Sequence, residues 1–127
     1  MQTPSRPLLH ALVGDEEVEA FFSDAAELAA MLRTEAALAE AGAAAGLIDR
    51  EAARRIGEAC RAFQPDWARL AEGLARDGVG VPELVKQLRA ATGEPHSRSV
   101  HVGATSQDII DTALVLRLKD VLAIVER

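Results

Sequence analysis

Apolar positions recur at three- and four-residue intervals along the chain, and alternating runs of β-branched residues are missing. That periodicity predicts an all-α protein. A short helix is expected from Asp15 to Phe22, burying Val18, Phe21 and Phe22. Asp24 with Glu27 reads as a capping pair opening a longer helix to about Ala45, which Gly46 ends. Its stripe of Leu28, Leu32, Ala36, Ala39 and Ala43 is one face wide, and the small residues of its later turns admit a close neighbour. Asp49 is expected to cap a third helix through about Phe63, with Ile56 and Cys60 one turn apart on the inner face. Pro65 suits the first turn of a fourth, which carries Trp67, Leu70 and Leu74 inward and stops near Gly78. Pro82 opens a fifth with Leu84, Val85 and Leu88, closed by Gly93. Residues 92–104 read as the one sustained irregular stretch, and residues 1–14, with Pro4 and Pro7 and closing on Gly14, as an extended arm.

The sixth helix, capped by Thr105 or Ser106 with Asp108 in its first turn, breaks the pattern. Ile109, Ile110, Leu114, Val115, Leu116, Leu118, Val121, Leu122, Ile124 and Val125 surround nearly its whole circumference. A helix apolar on most sides is buried on most sides. Five short upstream helices cover one of its faces, so the rest is expected to meet helices outside this chain, in a continuation or another subunit. No glycine, asparagine or proline stop signal precedes Glu126-Arg127, and the chain reads as ending in mid-architecture.

Charge and composition narrow the partners. Acids outnumber bases 20 to 14 in the 127 residues, a formal net charge of -6 with no basic block. A nucleic-acid footprint and an anionic membrane surface are both disfavoured. A substrate bearing several carboxylates then needs positive potential supplied locally. Cys60, the single cysteine, sits at helical spacing and reads as a buried structural thiol; no intrachain disulfide or thiolate metal cluster is available. The first twenty residues lack a long apolar run, so no signal peptide is expected, and a reduced, cytoplasmic setting fits. Trp67 reads as a packing anchor.

Chemistry is concentrated in His96-Ser-Arg-Ser-Val-His-Val-Gly-Ala-Thr-Ser-Gln-Asp108, where two imidazoles, a guanidinium, hydroxyls and an amide crowd a loop that enters an apolar helix. The start of that helix offers free N–H groups and partial positive charge to a carboxylate. Thr105, Ser106 and Gln107 add neutral donors there, and Gly103 lets backbone approach a ligand. Asp108, being anionic, is better suited to orienting a donor such as His101 than to meeting a carboxylate. The same residue types also make an ordinary helix cap, and composition alone leaves that reading ahead of an active site.

His101-Val-Gly-Ala-Thr-Ser-Gln-Asp-Ile-Ile-Asp-Thr-Ala113 resembles the first conserved segment of the fumarase/aspartase superfamily, in the form of its bacterial 3-carboxy-cis,cis-muconate cycloisomerase branch. The segment from Phe22 to Ala41 is similar to the N-terminal domain of that branch. The resemblance implies an N-terminal helical domain over 1–104, with the active-site loop near its end, and the truncated start of a central helical bundle over 105–127. It implies a cytoplasmic homotetramer, with each site built from three subunits and no cofactor or metal. The implied reaction closes 3-carboxy-cis,cis-muconate to 4-carboxymuconolactone in protocatechuate breakdown. By the same resemblance, Thr105 and Ser106 bind a substrate carboxylate, Gln107 is a third donor, and His101 contacts substrate or stabilises charge. Asp108 orients its neighbours, and Arg98 is a further carboxylate partner. The family's second histidine region and catalytic serine loop are not in this chain. Two alternatives remain open: adenylosuccinate lyase or another lyase of the superfamily, for which no basic phosphate cluster is present, and a free-standing helical oligomerisation module.

Overall fold

The computed structural model describes residues 7–127. The helices are α1 (His10–Val13), α2 (Glu16–Ala20), α3 (Asp24–Ala44), α4 (Arg50–Arg61), α5 (Trp67–Asp77), α6 (Val81–Thr92) and α7 (Ser106–Val125), with one 3-10 turn at His96–Ser99. No strand occurs among the described residues, and none of their helices is long and apolar enough to cross a membrane.

α3 is the axis of the fold, about 31 Å long at 1.5 Å per residue. The Ser23 hydroxyl accepts from Ala26 N–H at its start. At its end, Gly46 (φ 75°) allows Leu47 N–H to reach Gly42 O (2.8 Å) and Gly46 N–H to reach Ala43 O (3.1 Å), a paired glycine stop. α4 and α7 pack along α3, and α6 covers α4 and the start of α7. Ile56, Leu84, Leu88, Val100 and Ile109 are almost fully buried where these helices meet. Each large side chain of that set contributes ~1.5–3 kcal/mol on burial. α5 lies against α6, and the approach is close because residue 73 is glycine: a Cβ there would sit 2.5 Å from Glu83 Cβ.

Several boundaries and orientations depart from the periodicity reading. The arm is not wholly extended, since residues 10–13 form a helical turn; residues 1–6 lie outside the described residues. The short helix is confined to Glu16–Ala20, because Asp15 accepts from Glu17 and Val18 N–H and so stands at the cap. Phe22 is 48% exposed, with the Arg117 guanidinium 5.9 Å from its ring centroid. Ser23 caps α3 and Asp24 is its first residue, where a carboxylate is favoured by the helix dipole. α4 stops at Arg61, short of Phe63. Pro65 precedes α5, because Asp66 accepts from Arg69 N–H as the cap. Trp67 and Leu74 do not point inward as expected: they are 47% and 52% exposed, and both line an open cleft of about 480 Å³ with Leu28, Met31, Leu70 and Ile110.

α7 follows the expectation. Ile109, Ala113 and Arg117 are buried on one face, while Val115, Leu122 and Val125 are exposed and Leu114 and Leu118 more than a third exposed. Arg117 is accommodated by Ala113 O (3.2 Å), Phe21 O (3.5 Å) and Glu27 (3.8 Å).

Candidate functional site

The segment from Gly93 to Thr105 crosses the end of the bundle between α6 and α7. Gly93 (φ 76°) ends α6, a cis peptide joins Glu94 to Pro95, and His96–Ser99 make the 3-10 turn. Val100 is fully buried, and Arg89 Nη2 donates to its carbonyl (3.3 Å), which pins the segment to α6. His101 follows in the left-handed region (φ 65°), uncommon for any residue with a Cβ. Gly103 (φ 86°) then turns the chain into α7.

His101 has a partner that sequence reasoning missed. Its Nδ1 lies 2.6 Å from Oε1 of Glu35, 66 residues earlier on α3. The Glu35 side chain is fully buried and that of His101 is 16% exposed. Burial pushes the Glu35 carboxyl above its ordinary range, against the opposing pull of the His101 hydrogen bond and charge and the Arg89 guanidinium. A signal was present: Glu35 stands three residues after Leu32 and four before Ala39, on the apolar stripe of α3 rather than its solvated face.

The start of α7 is ordered locally. Thr105 is the cap, and both its N–H (2.7 Å) and its hydroxyl (3.1 Å) donate to Asp108 Oδ2. These bonds, with the nearby His101 charge, hold the Asp108 carboxyl below its usual range. Asp108 therefore holds its neighbour Thr105, while the contact to the His101 Nδ1 comes from Glu35. Gln107 Nε2 donates to Asp111 Oδ1 (2.6 Å). The Ser106 hydroxyl is half-buried and makes no hydrogen bond among the described residues. Arg98 stands apart: its side chain is 88% exposed and approaches Glu94 at 3.9 Å. The structure thus brings His101, Thr105, Ser106, Gln107 and Asp108 to one helix entrance and leaves Arg98 in solvent. Cys60, on α4, is buried, and desolvation pushes its thiol up to about 11.

No family model matches the chain. A 3-carboxy-cis,cis-muconate cycloisomerase of Pseudomonas putida is 48% identical over 108 residues, covering 83% of this chain and 26% of the relative. The crystal structure of a β-carboxy-cis,cis-muconate cycloisomerase from Acinetobacter calcoaceticus superposes with a TM-score of 0.87 at 40% identity, over 94% of this chain and 29% of that one. A fumarate lyase structure from Mesorhizobium superposes with a TM-score of 0.86 at 36% identity, over 98% of this chain and 28% of that one. The chain belongs to the fumarase/aspartase superfamily. It spans about a quarter of the length of the superfamily relatives it matches. Its fold class is theirs, all-helical, and the motif entering α7 occupies a loop held by rigid helices, where superfamily chemistry was expected from the sequence.

Proposed function

We propose that the chain is the N-terminal part of a 3-carboxy-cis,cis-muconate cycloisomerase, lactonising 3-carboxy-cis,cis-muconate to 4-carboxymuconolactone in protocatechuate catabolism. The observation that carries this reading is the 48% identity to the Pseudomonas putida cycloisomerase over most of the chain. Ser106, Gln107 and the N–H groups opening α7 bind a substrate carboxylate, where oriented dipoles stabilise developing charge. His101 presents its second ring nitrogen to the substrate. Thr105 and Asp108 hold the helix entrance in shape, the Thr105 hydroxyl completing the donor set when substrate binds. Arg98, loosely held by Glu94, pairs with an outlying carboxylate. Residues 1–104 form the N-terminal domain and 105–127 enter a central helical bundle. The bundle builds a cytoplasmic homotetramer that completes each site and works without cofactor or metal.

The test uses the full-length protein that carries this chain. Purified enzyme is offered 3-carboxy-cis,cis-muconate and adenylosuccinate separately, with loss of substrate absorbance followed and products identified by mass and NMR. Lactone from the muconate alone supports the reading. Turnover of adenylosuccinate alone replaces it with the purine lyase, and turnover of neither refutes it.

A further inference from the structure

Glu35 places a carboxyl group deep in the core of the described residues. Its carboxyl is 1% exposed as a residue, in the middle of the core helix α3, and Oε2 is a buried oxygen with no hydrogen-bond partner. A buried ion pair seldom stabilises a fold more than well-packed apolar residues of the same volume, so stability alone gives this carboxylate little reason to be here. The groups that act on it are His101 from the loop, Arg89 from α6 and Cys60 from α4; Asp108 on α7 lies close enough to the imidazole to feel its charge. Of these, only His101 touches it, through Nδ1. The other ring nitrogen, Nε2, makes no hydrogen bond among the described residues and is not among the buried unpartnered atoms, so it remains accessible at the entrance of α7.

We propose that Glu35 is a positioning residue for the muconate site: its carboxyl group holds the His101 imidazole through Nδ1 and so aims Nε2 at the substrate. The inference rests on the cycloisomerase reading above. Whichever partner carries the shared proton, the contact fixes the plane of the ring. Anchoring the ring to α3 makes its direction a property of the rigid core rather than of the loop.

Glu35→Gln, Glu35→Leu and His101→Gln are compared with wild type in the full-length enzyme. Gln keeps a polar group that can pair with Nδ1. Its kcat/KM should therefore stay near the wild-type value, with the melting temperature maintained. Glu35→Leu should lose kcat/KM at least tenfold across the whole pH range. A role in stability alone predicts wild-type kinetics in Glu35→Leu below its melting transition, and that result overturns the proposal, as does an equal loss in Glu35→Gln and Glu35→Leu. Wild-type kinetics in His101→Gln would instead refute the placement of His101 in the site. A substrate-independent arm compares crystal structures of the variants. The ring should keep its direction in Glu35→Gln and turn away in Glu35→Leu, and an unchanged ring in Glu35→Leu overturns the proposal whatever the substrate proves to be.

Discussion

Replacing Ser106 by alanine separates binding at the α7 entrance from capping of the helix. Thr105, not Ser106, is the cap, and its N–H and hydroxyl are both engaged with Asp108. Among the described residues the Ser106 hydroxyl has no hydrogen-bond partner to lose. Its removal should leave folding nearly untouched while deleting one donor to a substrate carboxylate. Hydrogen bonds to charged groups are worth ~1.5–3 kcal/mol, so kcat/KM of the full-length enzyme should drop roughly ten- to a hundredfold. Thr105→Ala should behave differently. It removes one of the two bonds to Asp108, keeps the N–H bond, and costs about 1 kcal/mol of stability as a lost cap. Steady-state lactonisation and thermal melting of both variants supply the measurements. Wild-type kcat/KM in Ser106→Ala would refute the donor assignment, and a loss of melting temperature in Ser106→Ala matching that of Thr105→Ala would show that both residues serve the helix.

Three further outcomes are expected. Gly73→Ala brings a methyl within 2.5 Å of Glu83 Cβ, where backbone rather than a flexible tip must give; overpacking of ~1–3 kcal/mol should exceed the helix preference of ~1 kcal/mol, and a rise in melting temperature would contradict the close α5–α6 contact. Cys60 should resist thiol reagents at neutral pH until the protein unfolds; because its thiol is raised to about 11, the folded state favours the protonated form, and that contribution to stability is lost as pH climbs from the ordinary 9.0 through 11. The 127-residue chain by itself should show no lactonisation and should self-associate through Val115, Leu118, Leu122 and Val125, so a monodisperse monomer at micromolar concentration in sedimentation would argue against a bundle-forming helix.

Much of the helical layout was legible because its punctuation is local. Gly46, Gly78 and Gly93 end helices through positive φ, and Pro82 stands in the first turn of α6 as expected. The apolar periodicity of α6 put Leu84, Val85 and Leu88 in the core correctly. Trp67 and Leu74 misled because hydrophobicity reports a preference for burial and not the presence of a neighbour; within the described residues their side of α5 faces an open cleft. The motif from His101 to Asp108 could be recognised as a unit, and its Thr105–Asp108 contact is a three-residue pattern. The Glu35–His101 contact was not legible. The apolar stripe of α3 marks Glu35 as buried without naming its partner, which lies 66 residues away. Pairing those two residues requires the packing of α3 against the loop, which no local rule supplies.

That difference in sequence separation gives the two halves of the site different folding histories. The Thr105–Asp108 contact closes over three residues and can form on the time scale of helix growth, before any tertiary docking. The imidazole reaches Glu35 only after a 66-residue segment has been closed, with α4 and α6 already packed around α3. The long-range contact depends on the packing of α3, α4 and α6, whereas the Thr105–Asp108 contact depends only on the first turn of α7. Amide protection in the first turn of α7 is then expected to outlast the Glu35–His101 contact as denaturant is raised.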